Sequence, residues 1–135
     1  MLNPSTADAS KNDPTIHRCI QFAQSWGYGS LEVVNLFAYR TTTPIELQRI
    51  ADPIGSKNDH YLVQAGQRAQ MLILAWGNWG NLLGRDQAVL KLVNSHQSVY
   101  CLGINQSGLP RHPLYVKGTT MPYPYPKGGL YDFGF

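Results

Sequence analysis

Four small groups of polar residues stand out against an apolar background. Asn3, Pro4 and Ser5 follow Met1–Leu2 at the start of the chain. Asn35 interrupts the apolar run Val33-Val34-Asn35-Leu36-Phe37, and Arg40 comes shortly after it. Gly77 and Asn78 close the run Leu74-Ala75-Trp76. Arg111, His112 and Tyr115 flank Pro113 near the end of the chain. An Asn amide offers a donor and an acceptor together, which suits it to reading the edge of a base. A His titrates near neutrality and serves as acid, base or neutral hydrogen-bond donor. Strand interiors disfavour Asn, and a buried amide must find partners. Asn35 is therefore either a structural amide that ties down a neighbouring loop or one that reads a ligand. His112 has the same two readings, a surface loop residue or a donor to a ligand. His17 and His60, inside helical patterns, and His96, just past one, read as surface residues.

Other chemistries find no support in the sequence. There is no HExxH, no phosphate-binding Walker loop and no GxSxG. Cys19 and Cys101 form no CxxC and read as small buried apolar residues in a reducing, cytoplasmic setting. An iron–sulfur cluster normally needs about four thiolates, so no metal cluster, metal ligand or cofactor is expected. Eleven basic and eight acidic residues give a net charge of +3. That balance permits a nucleic-acid or nucleotide partner without requiring one. Apolar residues make up 43% and charged residues 14%, a globular composition. No run reaches the roughly 18 apolar residues of a membrane span, so no membrane partner is expected. The opening MLNPSTAD lacks the basic and apolar regions of a signal peptide.

The elements that must position these residues alternate between helix and strand patterns, as a parallel α/β sheet requires. The 135 residues suit one domain. Asp13 and Pro14 open a helix that runs to Trp26, with Ile16, Cys19, Ile20, Ala23 and Trp26 on its apolar face. Leu31 to Phe37 reads as a buried strand. Thr43, Pro44 and Glu46 read as a capping box before a short helix. A longer helix runs from Ser56 to Ala69. Met71 to Trp76 is an apolar run typical of a strand covered on both faces. Asp86 to Val93 reads as helix and Ser98 to Gly103 as strand. After Ile104 the pattern is loop-like, and Met121 to Phe135 forms an extended Tyr/Pro/Gly-rich tail. Each strand thus ends in polar residues, and ligands of open parallel sheets bind at those ends. Met1–Leu2 reads as the last two residues of a strand whose remainder is missing. The expectation is a first strand truncated at its start, in a domain that is naturally longer.

Five segments carry a resemblance. MLNPSTAD, NDPTIHRC, WGYGSLEVVNLFAYR, ILAWGNWG and CLGINQSGLPRHPLY resemble an uncharacterised bacterial and archaeal family marked by its LNPSTAD opening. The order of the motifs is also remotely similar to the uracil-DNA glycosylase superfamily. There a first loop, a second-strand Asn, an LLWG-like third strand and a final His-Pro loop recur. That likeness implies a three-layer α/β/α sandwich with a mostly parallel four-stranded sheet in the order 2-1-3-4. It implies that Asn3 holds an attacking water and that Asn35 reads the base. His112 would donate to the departing base as negative charge builds on it. Asn3 and His112 are then the catalytic candidates. Pro4, Ser5, Asn35, Arg40, Gly77, Asn78, Arg111 and Tyr115 are the ligand-binding ones. The sequence departs from the superfamily at several points. Asn3 stands where its most active members carry Asp. Met1 replaces a glycine, and Leu114 replaces the Ser after His-Pro.

Three functions remain in competition. One is an N-glycosylase that cleaves a base–sugar bond in DNA or a nucleoside. A second is a non-catalytic nucleotide or nucleic-acid binding module. The third is an interaction protein with a vestigial pocket. A fold likeness alone does not decide among them.

Overall fold

The computed structural model describes residues 1–4, 13–93 and 98–126. Ser5, His96 and the end of the tail from 127 onward lie outside the described residues.

The first helix, α1, spans Pro14–Ser25. The Asp13 carboxylate caps it, accepting from the backbone N–H of Thr15 at 2.8 Å and of Ile16 at 3.2 Å. Gly27 ends it at φ +82, a conformation that glycine adopts without strain. Its buried face differs from the expected one. Phe22 enters the core, whereas Ile20 stays 39% exposed. Helix α2 spans Asn58–Arg68 and helix α3 spans Arg85–Val93. These two pack on each other.

The sheet is small and mixed. β1, Leu72–Leu74, pairs in parallel with β2, Val99–Cys101. β2 pairs antiparallel with β3, Tyr123–Pro124. The order β1-β2-β3 leaves β1 at an edge. This overturns the expected four-stranded, mostly parallel sheet of order 2-1-3-4, and with it the glycosylase-like sandwich. Two local causes are visible. First, the supposed loop-like tail supplies a strand. Tyr125 donates its backbone N–H to Val99 O at 2.9 Å, and its hydroxyl donates to Gly108 O at 2.7 Å. Second, Leu31 to Phe37 forms no strand. Leu31 and Glu32 are exposed, and only the far end, at Leu36 and Phe37, is fully buried. A strand exists only through its partners. Among the described residues, only Met1–Leu2 lies along this segment. Met1 N donates to Val34 O at 3.1 Å, Leu36 N to Met1 O at 3.0 Å and Phe37 N to Leu2 O at 2.9 Å.

The core joins Leu36, Phe37 and Leu47 to Leu62, Leu74, Trp76, Val89 and Val99. Each fully buried side chain of this kind contributes about 1.5–3 kcal/mol. A polar clamp fixes the Asn35–Leu36 segment onto α2 and α3. Asn58 Nδ2 donates to Asn35 O at 2.9 Å and to Leu36 O at 3.0 Å. Arg85, 3% exposed, donates from Nε to Leu36 O at 2.7 Å and pairs through Nη2 with Asp59. The expected capping box does not form. Thr43 makes no side-chain cap, and the buried Thr41 hydroxyl donates instead to Glu46 at 3.2 Å.

Candidate functional site

The run after β1 and the long loop after β2 meet at one place. Gly77 N donates to Pro110 O at 3.0 Å. Gly77 sits at φ +80, and a Cβ there would lie 3.6 Å from that of His112. The Gly77 backbone is thus seated against His112. Beside this contact, four side chains form a connected polar group. Asn78 Oδ1 accepts from Asn105 Nδ2 at 2.9 Å and from Ser107 Oγ at 2.6 Å. Arg111 Nε donates to Asn105 Oδ1 at 3.1 Å. The expected residues Gly77, Asn78, Arg111 and His112 therefore share one neighbourhood. Asn105 and Ser107 were missed by sequence reasoning. Their only signal was the polar Asn-Gln-Ser-Gly turn, which resembles many ordinary turns.

His112 has a defined protonation geometry. It precedes a short 3-10 turn at Pro113–Tyr115, and its Nδ1 accepts from Leu114 N–H at 3.2 Å. An accepting Nδ1 carries no proton, so the neutral ring carries its hydrogen on Nε2. Burial pushes the His112 pKa below its usual value. The Met1 amino group adds to this and Asp13 opposes it. The ring is therefore a neutral Nε2–H donor at pH 7. The Tyr115 ring lies 5.7 Å from it and is 76% exposed, offering a flat apolar face beside the donor. Arg18 of α1 anchors the turn by donating to Val116 O at 2.8 Å.

The opening residues do a different job. Asn3 Nδ2 lies at 2.9–3.0 Å from three carbonyl oxygens, those of Pro4, Tyr39 and Thr41. Pro4 O in turn accepts from Thr41 N at 3.1 Å. Asn3 and Pro4 thus staple the loop that carries the exposed Arg40. Asn35 is half-buried, held by the Asn58 clamp and by the Met1 backbone on either side of it. The structure gathers Asn3, Pro4 and Arg40 around one loop, and Gly77, Asn78, Arg111, His112 and Tyr115 around another. The Met1 backbone touches the Asn35 segment, and its amino group acts electrostatically on His112. Asn58, Asp59 and Arg85 were also missed. Charged residues at helix starts more often face solvent, so nothing in their types marked Arg85 for burial.

A cavity of about 590 Å³ opens between α1 and the α2–α3 pair. Cys19, Phe22 and Trp26 wall one side, and Leu62, Val89 and Val93 the other. Its ends are residues 29–34 and β1. Cys19 is half-buried and Cys101 fully buried. Both are free thiols, and burial raises the pKa of each. Among the described residues no three His, Cys, Asp or Glu side chains gather to hold a metal ion. No described helix is long and apolar enough to cross a membrane.

Comparison with curated proteins and with solved structures returns no match. Residues 1–114 match a family described as "Protein of unknown function (DUF1643)". That match spans most of the chain and includes the LNPSTAD opening, the Asn35 segment, Gly77 and His112. The chain belongs to the DUF1643 family.

Proposed function

We propose that the protein binds a nucleobase-bearing ligand where the Gly77–Asn78 turn meets the Asn105–Tyr115 loop. His112 donates from Nε2 to a carbonyl oxygen of the base, Tyr115 offers a stacking face, and Arg111 supplies positive charge for a phosphate. The observation that supports this reading is the Leu114 N–H to His112 Nδ1 bond, which leaves Nε2 as the hydrogen-bearing nitrogen of the neutral ring. The same donor would assist hydrolysis of an N-glycosidic bond, because negative charge grows on the base oxygen as that bond breaks.

A second reading, binding without turnover, draws on Asn3. Its amide nitrogen is spent on loop carbonyls, which favours a structural role over that of a water-holding group. One experiment tests both. The protein and its His112→Ala variant are incubated with single- and double-stranded oligonucleotides carrying uracil or hypoxanthine. Base release is read by alkaline cleavage, and binding by chemical shifts of the His112 ring. Release that is lost in the variant supports the N-glycosylase. Binding without release supports the binding module. Neither release nor binding overturns the proposal.

A further inference from the structure

The polar group beside His112 has a fixed sense. Arg111 Nε can only donate, so the Asn105 amide atom 3.1 Å from it is the oxygen. The other end of that amide is its nitrogen, which donates to Asn78 at 2.9 Å. Ser107 Oγ accepts from Leu109 N–H at 3.3 Å and gives its own hydrogen to the same Asn78 oxygen at 2.6 Å. Asn78 Oδ1 thus takes two donors, and both hydrogens of Asn78 Nδ2 are left without a partner among the described residues. Asn78 itself is exposed. Arg111 is held in place as well. Its backbone N–H donates to Gly103 O at 2.8 Å, and a Cβ at Gly103 would lie 3.5 Å from Arg111 Cβ and 3.6 Å from its Cδ. Neither Nη of Arg111 bonds a described residue, and no described carboxylate pairs with it. The side-chain oxygens of Asn78, Asn105 and Ser107 all accept already. What remains free is a set of donors, one of them cationic.

We propose that Asn78 Nδ2 and the two Nη groups of Arg111 form a phosphate subsite, and that the ligand is a nucleotide and not a free base or nucleoside. The inference rests on the reading of this loop as a nucleobase site and adds Asn78 and Asn105 to it. Free donors, a positive charge and no vacant side-chain oxygen match an anionic group rich in acceptors. Phosphate is the group of that kind that a nucleobase ligand carries. Arg111 supplies the charge, and hydrogen bonds from it are about twice as strong as neutral ones. Asn78 supplies neutral donors beside it, with one amide between the two residues. Asn105 is a positioning residue. By accepting from Arg111 and donating to Asn78 it keeps the Asn78 oxygen turned inward and so the amide hydrogens free. A reversed Asn78 amide would set an oxygen against the oxygens of the phosphate.

The test uses the full chain with uridine and inosine, each with and without a 5′-phosphate, and with inorganic phosphate. Side-chain nitrogen resonances of Asn78 and Arg111 report the phosphate, and those of the His112 ring report the base. The 5′-monophosphate of at least one nucleoside should bind about tenfold more tightly than the nucleoside itself. Asn78→Asp keeps the inward acceptor oxygen and replaces the free amide hydrogens by an anionic oxygen. It should abolish the advantage of the phosphate and leave nucleoside binding unchanged. Asn105→Ala should reduce that advantage and shift the Asn78 Nδ2 resonance of the free protein. A uridylyl dinucleotide separates two sources of the phosphate. Tighter binding than the monophosphate assigns the subsite to a phosphodiester within a strand, and weaker binding assigns it to a terminal phosphate. Equal affinity for nucleotide and nucleoside, with the His112 ring responding to both, would overturn the phosphate subsite and leave the base site standing. Shifts at Asn78 and Arg111 with inorganic phosphate, and no His112 response to either nucleoside, would keep the subsite and overturn the base site. An undiminished advantage in Asn78→Asp, or no shift at Asn78 and Arg111 with any phosphate-bearing probe, would overturn the subsite.

Discussion

Substituting Gly80 by Ala probes how tightly the loop after β1 is fitted. A Cβ at Gly80 would lie 1.9 Å from Trp76 Cδ1 and 2.4 Å from its Nε1. Ordinary contacts are about 3.5–4.0 Å, so the indole must move by roughly 1.5–2 Å. Trp76 is 4% exposed and packed into the core, which leaves it little room. Overpacking of this kind costs about 1–3 kcal/mol, and occasionally more. Replacing Gly by Ala in a helical turn returns up to about 1 kcal/mol. The net expectation is a loss of about 2 kcal/mol, which for a chain of this size lowers Tm by roughly 6–10 °C. Thermal melts followed by circular dichroism measure it. Gly29→Ala is the control, since a Cβ there meets nothing within 4 Å. The double variant Gly80→Ala/Trp76→Phe, with a smaller ring, should recover part of the loss relative to Trp76→Phe alone. A neutral or stabilising Gly80→Ala would refute the reasoning.

Further outcomes follow from the same contacts. His112 has a folded pKa below its unfolded value, so folding disfavours its protonation. Its contribution is present above about pH 6.5 and is lost as pH falls through the folded pKa; urea melts from pH 7 to pH 5 should show a steeper decline for the native chain than for His112→Gln. Asn58→Ala removes both donations to the Asn35 and Leu36 carbonyls, and should cost about 1–3 kcal/mol in urea unfolding. Asn3→Ala should cost about 1–2 kcal/mol and speed amide exchange at Thr41, whose N–H bonds Pro4 O. Asn35→Ala should leave the Asn58 clamp in place, because that clamp holds the backbone carbonyl of residue 35; loss of nucleobase binding at unchanged stability would mark Asn35 as ligand-reading.

Local chemistry made much of this protein legible in its sequence. Asp13 before Pro14 specified the start of α1, because a carboxylate that caps backbone N–H groups needs no tertiary partner. The apolar run at Met71 to Trp76 located β1, and the pattern at Asp86 to Val93 located α3, since periodicity reflects burial directly. Gly77 and Asn78 directly follow the β1 run, whereas Arg111 and His112 lie in the long loop after β2, and the fold decided that the two pairs meet. Tertiary structure decided what depends on partners. Leu31 to Phe37 has strand composition, yet pairing alone makes a strand, and its neighbour on one side is a cavity. Tyr123–Pro124 has tail composition, yet Val99–Cys101 recruits it into the sheet. Arg85 looks like a surface residue and is buried, because the Leu36 carbonyl and the Asp59 carboxylate satisfy it there. Which ring nitrogen of neutral His112 carries the hydrogen hinges on a single backbone N–H two residues along the turn. Backbone pairing and buried charge are set by what the folded chain brings close, and no local pattern of residues carries that information.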